Sequence, residues 1–200
     1  MEAGKCLKML REMRDVTFAT VDAQSRADAR IIDVMIVEDD KLYFVASRGK
    51  NFYRQLERTG EVAVCGMNSN YVTVRLRGKI KKMDPSWVDK VFEQNPNMHD
   101  MYPGKSRYVL DAFCVYAGEG ELFDLSGTPL FRESFAFGGE EITPKGFVIT
   151  DGCTECGICA QICPQQVIEA GSPYSIMQAH CLHCGYCQEN CPSDAIERMG

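Results

Sequence analysis

The run Cys153-Thr154-Glu155-Cys156-Gly157-Ile158-Cys159-Ala160-Gln161-Ile162-Cys163-Pro164 decides how the C-terminal end of this chain folds, because it returns as Cys181-Leu182-His183-Cys184-Gly185-Tyr186-Cys187-Gln188-Glu189-Asn190-Cys191-Pro192. Two-residue spacers let three cysteines of one tight turn wrap a single metal centre, whose fourth thiolate must then come from elsewhere. The copies are offset by 28 residues, and the register extends past the cysteines: Val148 maps to Ile176, Ile168 to Ile196 and Glu169 to Glu197. A repeat of this kind implies two half-modules related by a pseudo-two-fold axis, each too short to bury a core alone. Metal and sulfide then form the core, and metal binding and folding become one event.

The doubled phrase resembles the bacterial two-cluster ferredoxins, in which each run serves [4Fe–4S] cubanes and the fourth cysteine crosses to the other cluster. The resemblance implies two clusters, one on Cys153, Cys156, Cys159 and Cys191 and one on Cys181, Cys184, Cys187 and Cys163. Zinc ribbons also use C-x-x-C pairs, but a zinc site has no use for the third cysteine of each triplet or for the proline after the fourth. Disulfides fit less well still, since eight of the eleven cysteines fall in these phrases and the start of the chain carries no export signal. His180 and His183 flank cluster cysteines, where they are placed to tune a potential rather than to ligate.

Two hundred residues allow one ordinary domain and a small one. Hydrophobic content of 45% and charged content of 25% are those of a globular chain, and no apolar run reaches membrane-spanning length. Together these readings place the protein in the cytoplasm, and oxygen-labile clusters point to an anaerobic owner. From Glu141 to Gly200 seven acidic residues face two basic ones, so this segment carries −5 of the net −6. That argues against nucleic acid and against an anionic membrane, and for a redox partner protein with a basic docking face.

Along the first 138 residues, Gly4 to Arg14 reads as an amphipathic helix with Cys6, Leu7, Leu10 and Met13 on one side. Stretches 16–22, 29–38, 41–46, 61–67 and 71–83 are rich in Val, Ile, Phe and Tyr and read as strands, with Asp39-Asp40 as a tight hairpin turn. Helices are expected from Lys50 to Arg58 and from Asp84-Pro85 through Phe92, then a loop from Asn95 to Arg107. Residues 109–116 and 121–125 read as a last strand pair with Gly118 and Gly120 at a bend, and Phe131 to Phe137 as a further strand. Many short strands and few helices predict a mainly β domain, a split antiparallel barrel over 1–138. A linker at 139–146 leads to a small α+β, ferredoxin-type domain over 147–200.

The stretch from Arg30 to Gly78 resembles the flavin-binding split β-barrel of the pyridoxamine 5'-phosphate oxidase-like family. The matching segments are Arg30-Ile31-Ile32-Asp33-Val34-Met35, Leu42-Tyr43-Phe44-Val45-Ala46-Ser47-Arg48-Gly49-Lys50 and Val72-Thr73-Val74-Arg75-Leu76-Arg77-Gly78. The resemblance implies FMN, with Arg30, Ser47, Arg48 and Lys50 at its phosphate. It puts Phe44, Val45 and Thr73 along the flavin, counts Ile31 and Ile32 among the cofactor-binding residues, and implies a homodimer with two flavin sites. The residues speak for the phosphate independently, since a Ser-Arg-Gly-Lys turn entering a helix combines backbone N–H groups, a helix dipole and two cations. Two features depart from the family: Met35 stands where the oxidases have a lysine, and their C-terminal Arg and His segment has no counterpart, which argues against the vitamin substrate.

His99 and Tyr102, in the loop after Pro96, are the candidates for a catalytic proton donor, against the plainer reading of surface loop residues. Cys6, Cys65 and Cys114 read as small apolar side chains and Trp87 as helix-face packing. The combined reading is an iron–sulfur flavoprotein oxidoreductase that passes electrons between two clusters and FMN, and on to a small organic acceptor or from a small donor. Its competitors are a non-catalytic electron carrier between redox proteins and the same barrel holding a deazaflavin or haem.

Overall fold

The alternating apolar strands of the N-terminal region pair into one sheet of eight, and the split-barrel expectation is borne out in the computed structural model, which describes residues 2–200. Helix α1 (Ala3–Met13) precedes β1 (Asp15–Val21), β2 (Ala27–Asp33), β3 (Ile36–Glu38) and β4 (Lys41–Ser47). Helix α2 (Asn51–Thr59) leads to β5 (Glu61–Met67) and β6 (Val72–Lys82), and α3 (Ser86–Gln94) with the short α4 (Met98–Met101) precedes β7 (Leu110–Asp124) and β8 (Phe131–Phe137). The sheet runs β2-β1-β5-β6-β7-β4-β3, with β8 paired to β7. A 3-10 turn over Gly104–Val109 ends the segment expected as a loop.

Two strand expectations need correction. The run 29–38 is not one strand, because Val34 donates its N–H to the Arg14 carbonyl and Met35 donates to that of Tyr43. Both side chains are buried there, as the chain leaves its pairing with β1 for a pairing with β4. Conversely, 109–116 and 121–125 are not a pair but one strand of 15 residues. Its glycines are an approach, not a bend: a Cβ at Gly118 would lie 2.2 Å from the Arg77 carbonyl oxygen, and one at Gly120 would lie 2.6 Å from that of Arg75. The Asp39-Asp40 turn is as expected, both residues taking the left-handed φ (49° and 53°) of a two-residue hairpin.

Inside the barrel, Phe18, Phe44, Phe52 and Phe113 form one aromatic cluster, with ring centroids 4.8 Å apart for Phe18–Phe44 and 5.7 Å for Phe44–Phe113. Helix α1 contributes Leu7 and Leu10, and α2 contributes Phe52, Tyr53 and Leu56, all buried. Each such side chain removed from water stabilises the fold by about 1.5–3 kcal/mol. A second cluster joins α3 (Val88, Val91, Phe92) to Met35, Tyr43, Val45 and Leu110. Asn95 stops α3 by turning its amide back, donating to the carbonyls of Val91 (2.8 Å) and Met35 (3.1 Å).

By contact the chain divides into two units, the first made of residues up to Ser69 with 73–122 and 134–142, the second of 70–72, 123–133 and 143–200. In the second unit β9 (Gly146–Ile149) pairs with β12 (Ile196–Met199), and β10 (Ile168–Glu169) with β11 (Ser175–Ile176). Two short helices, α5 (Ile158–Ile162) and α6 (Tyr186–Glu189), follow the cysteine turns. The sequence repeat is written into the backbone. Positive φ recurs 28 residues apart at Glu155 and His183 (59° and 57°), Gly157 and Gly185 (75° and 80°), and Gln166 and Asp194 (54° and 51°).

Candidate functional site

The cysteine turns open onto two separate cavities. One is lined by Cys153, Cys156, Cys159 and Cys191, with Ile149, Tyr174 and Ile196 as apolar walls. The other is lined by Cys163, Cys181, Cys184 and Cys187, with Phe147, Ile168 and Ile176. Each cavity therefore takes three cysteines from one turn and the fourth from the other copy. Among the described residues no three His, Cys, Asp or Glu side chains converge on a point fit for one metal ion. Four thiols spread round a cavity suit the corners of a cubane rather than a single tetrahedral ion.

Backbone amides already point at the sulfurs: Glu155 N–H donates to Cys153 Sγ and His183 N–H to Cys181 Sγ, both at 3.4 Å, and Ala195 N–H to Cys191 Sγ at 3.3 Å. Burial, and then the neighbouring Cys181, push the Cys187 thiol up to about 11, and burial also raises Cys159 and Cys181. Burial acts on Cys191 too, but hydrogen bonds from Ser193 and the Ala195 amide instead lower it, and the four thiols lining each cavity are a donor set that fits an iron–sulfur cluster.

In the barrel, the turn Ser47-Arg48-Gly49-Lys50 enters α2, whose first turn has no side-chain cap. Space beside Gly49 is open, with no atom within 4 Å of a Cβ built there, and Lys50 is exposed. Its neighbours Asn51 and Arg54 line a concave, polar surface together with Arg26 and Arg58. An uncapped helix start with an adjacent ammonium fits a phosphate.

The two arginines named with Lys50 are each ion-paired to a carboxylate of the same chain. Arg48 pairs with Asp111 at 3.1 Å and donates to the Tyr108 carbonyl. Asp111 is buried and also meets Lys82 at 2.8 Å and the Tyr53 hydroxyl at 2.7 Å. Burial alone would raise its carboxyl, but hydrogen bonds from Lys82 and Tyr53 and the charges of Lys82 and Arg48 hold it below the usual carboxylate range. Arg30 donates to Thr20 (2.7 Å) and Gln55 (3.0 Å), pairs with Asp28 at 2.6 Å and lies over the Phe52 ring. Sequence reasoning missed Asp111, Gln55 and Thr20, because their partners lie 10 to 63 residues away.

The remaining candidates are scattered. Phe44 is wholly buried in the aromatic cluster and Val45 in the second core, so their side chains serve packing. Ile31 is exposed on β2, Ile32 half-buried beside it, and Thr73 half-buried opposite Met67 on β6. His99 is an exposed residue of α4 with its ring edge-on to Phe92 at 5.1 Å, and Tyr102 packs against the second core. Of the histidines near the cysteines, His180 hydrogen-bonds the Leu130 carbonyl at 2.8 Å and His183 meets Arg132, so both engage the segment 123–133 of their own unit.

Compared with known families, residues 4–109, more than half of the chain, match the pyridoxamine 5'-phosphate oxidase profile. The chain belongs to that family. Residues 145–192 match the 4Fe-4S dicluster domain, so the split barrel is followed by a ferredoxin-type iron–sulfur domain, a combination that belongs to redox chemistry and electron transfer. No curated protein matches. Among solved structures, a NimC/NimA family protein from Clostridium acetobutylicum shares 21% identity at a TM-score of 0.57, covering 66% of this chain and 90% of that one. A general stress protein 26-related protein of the pyridoxinephosphate oxidase family, from the same organism, shares 14% at 0.53, covering 66% and 94%. A heme binding protein from Mycobacterium smegmatis shares 11% at 0.51, covering 69% and 59%. At these identities the likeness is one of fold. No helix among the described residues is long and apolar enough to cross a membrane.

Proposed function

We propose that the chain is an iron–sulfur flavoprotein oxidoreductase, with FMN on the barrel and two [4Fe–4S] clusters in the C-terminal unit. It moves electrons between them and a small organic acceptor or donor. The observation that carries this reading is the pair of four-cysteine cavities in the same chain as a family split barrel with an open, uncapped phosphate corner. A flavin at that corner supplies the exchange between one-electron and two-electron steps. Lys50 and the first N–H groups of α2 hold the phosphate, while Arg30 and Arg48 are held in place beside them by Asp28 and Asp111. The cysteines hold the clusters in the two groups of four that line the cavities. His99, in α4, and Tyr102, which follows it, are the candidate proton donors, and replacing each tests that role.

The outer face of β2, β1 and β5 supports a homodimer: Ile31, Thr17 and Cys65 lie in one row of the register and Ala29, Ala19 and Ala63 in the next, a face of small and apolar residues that a second copy can cover. Exposed Asp151, Glu155, Glu189, Asp194 and Glu197 support docking of a partner protein with a basic face, in the cytoplasm of an anaerobe. Iron, acid-labile sulfide and flavin counted on anaerobically purified protein test the reading. About eight iron and one FMN per chain are expected. Stoichiometric zinc without sulfide, or haem or deazaflavin in place of FMN, would each overturn the corresponding half.

A further inference from the structure

The two cysteine cavities are related by the repeat, which makes each the internal control for the other, and their charges differ at equivalent positions. In the turn of the first triplet Glu155 occupies the left-handed position that His183 fills in the second. After the crossing cysteines, Asp194 follows Cys191 where the neutral Gln166 follows Cys163. The second cavity gains a cation as well. Arg132 hydrogen-bonds the ring of His183, two residues from Cys181, and its guanidinium lies over Phe123 at 4.7 Å; burial raises the Cys181 thiol, and the charge of Arg132 works against that rise. The segment that carries it is held beside that cavity at two further points: Gln165 accepts the Leu130 N–H at 3.2 Å, and His180 bonds the Leu130 carbonyl.

Burial makes the cation matter. Cys181 and Cys187 are each only 8% exposed, whereas all three cysteines of the first triplet are less buried than either. An anionic centre in the drier cavity resists a further negative charge, so without compensation it is the harder of the two to reduce. A fixed guanidinium offsets that cost and keeps its charge at any working pH. Dipoles act at the first cavity too, where Ser193 and the Ala195 amide bond Cys191, and among the described residues that line it there is no Lys or Arg.

We propose that Arg132 is a positioning residue for electron transfer that selectively raises the reduction potential of the cluster site formed by Cys163, Cys181, Cys184 and Cys187. Its effect is to let one electron released at the first site be taken up at the second, the first being oxidised and the second reduced by that electron, with no bond made and no proton moved. The inference rests on the two-cluster reading above.

The experiment is an anaerobic redox titration of the whole chain followed by electron paramagnetic resonance, with iron and sulfide counted in the same samples. Cys156→Ser and Cys184→Ser, each at an exposed ligand, assign the signals to the two sites. Arg132→Gln is expected to lower the potential of the second site by at least a tenfold change in its one-electron equilibrium, about 59 mV, and to leave the first nearly unmoved. Arg132→Lys, which keeps the charge but not the fork, should restore most of the difference. Equal shifts at both sites, no shift, or Lys behaving as Gln would overturn the proposal. So would loss of the second cluster in both Arg132→Gln and Arg132→Met, since the role would then be structural. Fewer than about eight iron in the unaltered protein would instead remove the two-cluster reading itself.

Discussion

Glu155 and His183 sit 28 residues apart in the same left-handed turn, φ 59° and 57°, and each donates its backbone N–H to the first cysteine of its triplet at 3.4 Å. The equivalence shows that the repeat is a repeat of backbone and of sulfur hydrogen bonding, not of cysteines alone. Left-handed φ in non-glycine residues costs energy, and it recurs here where a tight turn has to direct amides at sulfur.

The crossing of the fourth cysteines gives the first prediction. Cys163→Ala should damage the cluster held mainly by Cys181, Cys184 and Cys187, and Cys191→Ala the one held by Cys153, Cys156 and Cys159. Low-temperature spectra of the reduced variants distinguish the two. Loss of the wrong signal in either variant would mean that the cavities are not filled as their linings suggest.

Asp111 carries a prediction about acid. Its carboxyl is held below the usual range in the folded protein, so its pairing stabilises the fold above the unfolded value near 4 and is lost as pH falls through the lower folded value. Asp111→Asn should cost roughly 1–2 kcal/mol at neutral pH, discounted because Arg48 and Lys82 are half exposed, and should flatten the acid limb of the stability curve. Denaturant melts from pH 7 to pH 3 would show the difference, and parallel curves for both proteins would exclude it.

Lys50 and Arg48 should separate in their effects. Lys50→Ala is expected to weaken FMN binding about tenfold with no change in melting temperature, because Lys50 is exposed and its ammonium serves no pair among the described residues. Arg48→Ala should lower stability as well, since it strips one cation from buried Asp111. Fluorescence titration of FMN into flavin-stripped protein, beside thermal melts, measures both. Identical behaviour of the two variants would contradict the division.

Gly118 should not tolerate a side chain. Gly118→Val sets a Cβ against the Arg77 carbonyl, and forcing β6 and β7 apart should cost about 1–3 kcal/mol or more. A melting temperature equal to that of the unaltered protein would show that the strands have room.

What could be read in the sequence was local. The cysteine spacing, the Asp39-Asp40 turn and the Asp84-Pro85 helix start are each decided by a few adjacent residues; the ferredoxin likeness followed from the first, and the fold class and the barrel likeness from the short apolar strands and the segments between Arg30 and Gly78. What escaped was long-range. Whether Gly118 bends a strand or lets another backbone pass depends on Arg77, and whether Arg48 is available depends on Asp111, 63 residues on. The break at Val34 was hidden because a continuous apolar run looks the same whether it stays in one pairing or changes partners. Arg132 drew no notice for the same reason: nothing in its own neighbourhood announces His183.

An anaerobic reductive titration of the complete protein, read by visible absorption and by electron paramagnetic resonance together, tests the central claim most directly. Two clusters and one flavin in a single chain predict uptake of about four electrons, with cluster and flavin signals coming to equilibrium with each other without added mediator. Uptake of about two electrons, or clusters that reduce while the flavin stays oxidised, would contradict it.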